Sequence, residues 1–335
     1  MTPQTLRIYS LNVHGLNVDK ALALHVELER LHIDIVLLQE THLLTDDHRI
    51  RQIERSLHPW QCYWGSALSQ TTNKARPRQG VAILVRRRLL EQSYTFSPIM
   101  HDLPSRVLTG RFKGPGLDVR ISSVYFPNTG SARDSDIQPC IRILKQQLEN
   151  SQPVLWGGDY NFVSHQRDTT TNLHRAHPYR RTAKLWATAF DSTDICDLGS
   201  NTLRDRAAYT HEHVTQQDPR CVTKSRLDRF YGSKQLEPLL KSITVQSIES
   251  SVVHTDHAAV IVSLRRQTPL TTPTKKAYRR RIPTQFRNDA SILQNFRDEC
   301  SQRFSTLARQ DTITYKTWLD IKGTIARLSY NAQRK

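Results

Sequence analysis

The run Val154-Leu-Trp-Gly-Gly-Asp-Tyr-Asn161 decides how the rest of the chain is read. An apolar stretch of strand length ends in two glycines, then Asp159 and Asn161. This reads as a buried strand at Val154–Gly157, followed by a sharp turn that leaves two polar side chains exposed just past it. Three further segments follow the same plan. Leu6–Val13 alternates as a strand and carries Asn12-Val-His-Gly15 at its end. Ile33–Leu38 is a short buried strand that runs into Gln39-Glu-Thr41. His254-Thr-Asp-His257 stands just before the apolar Ala258–Leu264. Any one of these could be an ordinary polar turn or a carboxylate capping nearby backbone. Repetition at four strand ends points instead to a site built on a rigid sheet.

Outward from these segments, residues 1–264 read as many short strands with a few helices. Strands are expected at Gln61–Trp64, Gly80–Val85, Arg106–Phe112, Leu117–Tyr125, Arg226–Tyr231 and Ile243–Ile248. Apolar residues Ala21, Leu24, Leu28 and Leu31 recur at helical spacing, and helices are also expected at Ser135–Leu148 and Arg181–Phe190. Short strands interleaved with helices predict two sheets face to face with helices outside, a layered α/β sandwich. Trp60, Trp64, Trp156 and Trp186 are assigned to the core.

Composition changes at Arg265. Three prolines and the cluster Lys275-Lys-Ala-Tyr-Arg-Arg-Arg281 read as an extended linker, followed by helical stretches near Ser291–Leu307 and Thr314–Leu328. The expected division is a domain over residues 1–265 and a basic helical C-terminal appendage over 266–335. Residues 265–335 hold 16 Lys or Arg against 5 Asp or Glu, so most of the +17 net charge lies there. Such a charge calls for a polyanionic partner, nucleic acid before an acidic membrane surface. Five scattered cysteines without a C-x-x-C pattern argue against a disulfide framework or a zinc site, and favour a reducing compartment. No N-terminal stretch has the form of a signal peptide, and no apolar run approaches bilayer length.

The polar residues at the strand ends define the chemistry. Glu40, Asp159, Asp228 and Asp256 with a single histidine, His257, form an oxygen-rich set that favours a hard cation such as Mg2+ over zinc. Phosphodiester cleavage needs a cation on the phosphate, a base for water and a donor for the crowded transition state. This set offers all three.

Asn12-Val-His-Gly15, Gln39-Glu-Thr41, Tyr125-Phe-Pro-Asn128, Gly158-Asp-Tyr-Asn161, Ser225-Arg-Leu-Asp228 and Thr255-Asp-His257 occur in the order and rough spacing of the endonuclease/exonuclease/phosphatase superfamily. Over about residues 5–265 the chain resembles the apurinic-like endonuclease of non-LTR (LINE-type) retrotransposon polyproteins. The resemblance implies a four-layered, DNase I-like α/β sandwich with two packed mixed sheets. It implies Glu40 as principal Mg2+ ligand (Mn2+ substituting), helped by Asn12, with Asp256 on the metal or its water network. It makes Asp159 the group that orients or deprotonates water, with Asn161 beside it. His257 would bond the scissile phosphate, Asp228 would fix the tautomer and orientation of His257, and Tyr125 would reach the phosphate or leaving oxygen. Asn128 begins a loop facing DNA, and the strand of Tyr209-Thr-His-Glu-His213, with Thr210, would line the DNA groove.

Two positions depart from the pattern. His14 stands where relatives often carry Asp or Asn, and its role stays open between weakening an auxiliary metal contact and donating to phosphate. Ser225 stands where repair enzymes tend to place a tryptophan against a baseless sugar, which favours a retrotransposon-type nickase. His165, His174 and His177 lie among Arg175, Arg180 and Arg181 in a basic stretch. That stretch reads as solvated surface, with Arg175 and Arg180 as candidate DNA contacts. The expected activity is Mg2+-dependent nicking of DNA, double-stranded by preference, to leave a 3′-hydroxyl and a 5′-phosphate, inside the cell on nuclear DNA. The appendage is read as part of a connector toward a missing reverse transcriptase, with element RNA or that polymerase as further partners and no membrane. An inactive DNA-binding remnant and a same-fold enzyme acting on a lipid head group stay open as alternatives.

Overall fold

Alternation along the strands sorts their side chains onto two faces and so builds three apolar layers instead of one. A computed structural model describes residues 5–68, 77–92, 94–128, 134–171, 179–214, 222–248 and 252–265, with 294, 297, 298, 301, 302 and 305. The chain divides into two compact units, Met1–Pro269 and Leu270–Lys335. In the second unit the described residues are helical or turn, and Ser301 O accepts from Ser305 N at 2.9 Å. The expected linker, the cluster at 275–281 and the stretch 314–328 lie outside the described residues.

The first sheet contains β1 (Thr5–Asn12), β2 (Ile35–Gln39), β3 (Trp60–Trp64) and β4 (Val81–Arg86). The second contains β5 (Thr95–Ile99), β6 (Val107–Gly114), β7 (Leu117–Tyr125), β8 (Val154–Asp159) and β9 (Ile195–Asp197). Strands β10 (His211–Val214) and β11 (Val222–Ser225) form a separate antiparallel pair. Strand β12 (Asp228–Ser233) completes the second sheet, and β13 (Leu240–Gln246) with β14 (Ala259–Arg265) completes the first. The strand orders are β13-β14-β1-β2-β4-β3 and β5-β6-β7-β8-β12-β9. Both sheets are mixed. β1–β2 and β7–β8 are the parallel pairs, each joined by a crossover helix, α1 (Val18–Arg30) and α4 (Asp134–Leu148), as parallel neighbours require.

Ile8, Leu37, Ile83, Ile121, Leu155, Phe230 and Val262 meet in the central core shared by the two sheets. Their strand neighbours Tyr9, Val36, Leu38, Leu84 and Ile261 point the other way, onto Ala21, Leu24 and Leu28 of α1 and Ile53 of α2 (Ile50–Ser56). On the far side, Val124 and Trp156 pack with Ile141 and Leu144 of α4 and with Trp186 and Phe190 of α5 (Tyr179–Phe190). The result is the four-layered, DNase I-like sandwich that the strand pattern and the resemblance called for. Helix α1 starts where Asn17 Oδ1 accepts from Lys20 N at 2.8 Å, a side-chain N-cap. The short helices α3 (Arg87–Glu91) and α6 (Ser200–Asp205) were not expected from the sequence, because five or six residues carry too little periodicity to read. Strand β5 escaped notice because Pro98 interrupts it; as an edge strand it tolerates the missing donor.

The structure corrects the expected role of the two glycines. Gly157 and Gly158 lie inside β8, not in a turn, and neither has a left-handed backbone. A Cβ on Gly158 would collide with the backbone carbonyl of Val124 on the neighbouring strand, and one on Gly157 with Leu37 and Phe230. They are glycines because no Cβ fits: the adjacent strand's backbone fills the space at Gly158, and packed side chains fill it at Gly157. Strand β8 therefore continues through Asp159, which is buried like Asn161 and not exposed as expected.

One buried ionic network fixes the strand that carries Asp228. Arg226 and Arg229 flank Leu227-Asp228 and are both fully buried. Arg226 donates to Asp168 Oδ1 at 2.9 Å and to Asp197 Oδ2 at 2.6 Å. Arg204 adds a bond to Asp168 at 3.0 Å, and Arg229 donates to the Phe162 carbonyl at 2.7 Å. Burial alone would raise the Asp168 carboxyl, but Arg229, Arg226 and Arg204 hold it well below the usual carboxylate range. Arg226→Met, which removes the buried cation that bridges Asp168 and Asp197, should lower unfolding free energy by about 3–5 kcal/mol in urea titrations at neutral pH. A depressed folded pKa contributes stability above the unfolded value of about 3.9, and that contribution is lost as pH falls below it. The gap between wild type and Arg226→Met should thus hold steady through neutral pH and narrow in acid.

Candidate active site

Strand ends from both sheets converge on one cleft. In the first sheet Asn12 closes β1, Glu40 follows β2 and His257 precedes β14. In the second, Tyr125, Asp159 and Asp228 sit side by side in register on β7, β8 and β12. The cleft has a volume of about 470 Å3 and is lined by Glu40, Tyr125, Asp159, Asn161, Asp256 and His257, with His14, Arg78, Asn128 and His211 at its walls. Most residues expected to carry chemistry are therefore brought together, although they come from segments as far apart as 12 and 257.

Asn12 joins the sheets. Its Nδ2 donates to Glu40 Oε1 at 2.9 Å and to Asp159 Oδ2 at 3.0 Å, while its Oδ1 accepts from His14 N at 3.0 Å. It thus turns nitrogen, not oxygen, toward the carboxylates. In this arrangement the side chain bridges the two acids. Asp159 Oδ1 accepts from Asn161 N at 2.9 Å and Oδ2 from Asn161 Nδ2 at 3.1 Å, and the same Nδ2 also donates to the Phe126 carbonyl. Burial, with Asp228 nearby, pushes the Asp159 carboxyl up to about 6 despite these donors and His257.

Glu40 behaves in the opposite way. Burial would raise it, but hydrogen bonds from His42, Asn12 and Tyr125 bring it down to about 2. His42 Nε2 lies 3.3 Å and His14 Nδ1 3.7 Å from Glu40 Oε2. Burial beside Glu40 and Asp159 raises the Tyr125 hydroxyl far above its ordinary range, so it stays protonated and serves as a donor. His14, Glu40, His42 and Asn161 all have positive φ, between 45° and 55°. Non-glycine residues in this region carry strain, and here they cluster around a single cleft.

His257 faces Asp159 across the cleft, with Nε2 3.9 Å from Asp159 Oδ2. Its Nδ1 is bonded to Asp228 Oδ2 at 2.8 Å. Burial lowers an imidazole, yet Asp228, Asp159 and Asp256 together outweigh it and lift His257 to about 10. The ring is therefore an imidazolium at neutral pH, with both nitrogens as donors. Asp228 does more than choose a tautomer: it keeps the ring charged.

Two residues that the sequence reading missed or misplaced support this pair. Thr210, expected to touch DNA, is 1 % exposed. Its hydroxyl accepts from Leu227 N and Asp228 N, both at 3.0 Å, so it positions Asp228 and is too deep to reach a ligand. Lys20 donates to the carbonyls of Val13, His14 and His254 at 2.9, 3.1 and 2.9 Å, clipping the loop after β1 to the loop before β14. Nothing in the helical pattern of α1 marks Lys20 as different from any surface lysine.

Other expected positions fall as follows. Asn128 is exposed at the cleft and Arg180 is exposed on α5. Arg175, His174 and His177 lie outside the described residues. Ser225 is buried and shares a 3.0 Å hydrogen bond with Thr169, so it walls no open pocket. Cys62, Cys140 and Cys196 are free thiols, and Cys221 and Cys300 lie outside the described residues.

Four carboxylates around one imidazolium leave an excess of negative charge in a chain of net charge +17. An ionised Glu40 in a cleft lined by hard oxygen donors fits a divalent cation. The grouping of Asp159, Asp228 and His257 is less suited to one. Asp228 Oδ2 is bonded to His257 Nδ1, and Asp159 Oδ2 already takes two amide donors.

A strained, carboxylate-rich cleft at the strand ends of a two-sheet sandwich, with an imidazolium opposite a buried acid, defines a metal-dependent hydrolase. Residues 9–247 match the model of the Endonuclease/Exonuclease/phosphatase family, and the chain belongs to that family. No curated protein matches its sequence. Among solved structures, an AP endonuclease from Leishmania major is 17 % identical over 79 % of this chain and 89 % of that one, with a TM-score of 0.64. The endonuclease domain of TRAS1, a telomere-specific non-LTR retrotransposon, is 14 % identical over 79 % of this chain and all of that one, with a TM-score of 0.55. The 3′ phosphatase NExo from Neisseria, bound to product DNA hairpin, is 18 % identical over 77 % and 99 %, with a TM-score of 0.57. Among the described residues no helix is long and apolar enough to cross a membrane.

Proposed function

We propose that this chain nicks one strand of DNA by hydrolysing a phosphodiester, leaving a 3′-hydroxyl and a 5′-phosphate, as the target-site endonuclease of a retrotransposon. The observation that carries the reading is the pairing of a buried, Asn12-held Asp159 with the charged His257–Asp228 couple across one cleft. At neutral pH an acid near about 6 is ionised yet still basic enough to take a proton from water. His257 Nε2 donates a charged hydrogen bond to the phosphate oxygens as negative charge builds on them. Asn12 and Asn161 keep the Asp159 carboxylate in one orientation, and Tyr125 remains a neutral donor beside Glu40.

Glu40, with Asp256 on the water network, would hold Mg2+ or Mn2+. When bound, the cation neutralises phosphate charge. DNA as substrate is supported by the net charge of +17 and by the AP endonuclease, the retrotransposon endonuclease domain and the DNA-bound phosphatase with the same fold. A retrotransposon role over abasic-site repair is supported by Ser225, whose hydroxyl is tied to Thr169 and offers no flat ring to a baseless sugar. Arg180, Asn128 and Arg175 would contact the flanking backbone, and the basic residues 266–335 would add phosphate contacts.

End chemistry tests the proposal. Plasmid nicked by the protein should prime a DNA polymerase directly and should be resealed by a DNA ligase, since both need a free 3′-hydroxyl and the ligase also needs a 5′-phosphate. Nicks that prime only after phosphatase treatment would contradict the assigned polarity. Release of phosphorylated head group from lipid with no plasmid cleavage would move the substrate class altogether.

A further inference from the structure

The cleft contains a second group of ligand atoms with a different chemistry. The backbone of 210–212 is clipped to 256–258 by Glu212 N→Asp256 O at 3.1 Å and Ala258 N→Thr210 O at 2.7 Å, which makes His211 and His257 cross-strand neighbours. Their rings lie 4.8 Å apart. His211 Nε2 is 3.2 Å from Asp256 Oδ2, and His257 Nε2 is 3.8 Å from Asp256 Oδ1. One ligand atom from each residue falls within 4.8 Å of the other two. Asp256 is 49 % exposed, so the group opens to the cleft.

We propose that His211, Asp256 and His257 form a second cation site, selective for a borderline transition metal of the zinc class, and that filling it shuts off the reaction assigned to His257. Two imidazoles and one carboxylate are the donors such ions prefer, whereas Mg2+ favours oxygen and water. Three protein ligands with an open fourth position would leave the ion facing the cleft. His257 is already oriented for it: Asp228 holds Nδ1, and a carboxylate behind a ligating imidazole fixes the ring and raises its basicity. The cation would take the place of the Nε2 proton among Asp159, Asp228 and Asp256, which removes the hydrogen bond that His257 offers to phosphate. The Glu40 site would keep its own, harder cation. Metal binding here does not depend on the hydrolytic reading; the inhibition does.

The test titrates Zn2+ alone into the full chain against a competing chromophoric chelator, without DNA or Mg2+. Wild type should show one tight site. His211→Phe should weaken it by at least the roughly 10–100-fold that disturbing a ligand's support costs, with an unchanged circular dichroism spectrum. Glu40→Ala should leave it within about 2-fold of wild type, because Glu40 is not among the three ligands of this site. Equal Zn2+ affinity in wild type and His211→Phe would overturn the proposal, as would an equal loss in Glu40→Ala. In a second arm, Zn2+ is added to Mg2+-supported plasmid nicking. The concentration for half inhibition should rise about 10-fold or more in His211→Phe, and an unchanged value would overturn the inhibitory role. A chain that binds Zn2+ through His211 yet never cuts DNA would sustain the site and count against the nuclease reading alone.

Discussion

Asp159→Asn should lower the rate of phosphodiester hydrolysis by about 10²–10⁴-fold, the range associated with loss of a positioned general base. The substitution keeps the shape of the side chain and removes only its charge and basicity. Binding of DNA fragments, measured by fluorescence anisotropy, should change little, because the side chain is buried. The fold has no need of this charge. Burial holds the Asp159 carboxyl at about 6, above its unfolded value, so ionising it at neutral pH works against stability. On the proposed mechanism, that cost is what leaves a base in the site. A variant that retained more than about a tenth of wild-type turnover, with an unchanged melting curve, would remove Asp159 from the reaction.

The second large effect concerns His257. Deleting the imidazole by His257→Ala should cost on the order of 10²–10³ in kcat, as removal of a transition-state hydrogen-bond donor does. Asp228→Asn should act through His257 and change the pH profile instead of abolishing activity. Hydrolysis needs the imidazolium, so it persists below the pKa of His257 and fades above it. In wild type that limb lies near about 10, and on the acid side activity falls as Asp159 takes a proton near about 6. With asparagine at 228, the largest part of the attraction that outweighs burial is gone, Asp159 and Asp256 alone remain, and the alkaline limb should move down toward the ordinary imidazole value of about 6.5. The broad bell then becomes a narrow, low peak, and activity lost at pH 8 is partly recovered near pH 6. A variant with the wild-type profile at reduced height would mean that Asp228 only orients the ring.

What could be read from the sequence follows from how local each signal is. The apolar runs at Ile35–Gln39 and Ala259–Arg265 and the alternation that opens Leu117–Tyr125 are properties of adjacent residues, so both sheets could be anticipated. Asn12, Glu40, Asp159 and His257 could be singled out because each stands beside such a strand, where a polar residue interrupts an apolar run, whereas Asp228 lay inside the expected strand Arg226–Tyr231 and drew its role from the resemblance. The resemblance then supplied their order. Pairings between distant segments were hidden. His211 meets Asp256 across 45 residues, and Lys20 reaches His254 across 234. The burial of Arg226 and Arg229 carried no local signal, because arginine is seldom buried unless paired. Their partners Asp168 and Asp197 lie in stretches with no apolar rhythm. Thr210 was misread for a related reason: its neighbours alternate like a groove strand, and only the folded chain shows that its hydroxyl accepts from Leu227 N and Asp228 N. The glycines of β8 show the converse error. A turn was inferred from glycine's freedom, whereas the position needs its lack of a side chain.

The central claim is that this cleft is a metal-dependent phosphodiesterase that acts on DNA and is organised around Glu40. The most direct measurement is conversion of supercoiled plasmid to the open circular form by wild type and Glu40→Ala, each with Mg2+ and with a chelator. The account predicts nicking by wild type with Mg2+, none with chelator, and a loss of at least about 10²-fold in Glu40→Ala, comparable to the loss of a key transition-state contact. Nicking that survived the chelator, or that Glu40→Ala performed as well as wild type, would contradict it. So would a wild-type protein that was folded and bound DNA but cut nothing with Mg2+ or Mn2+.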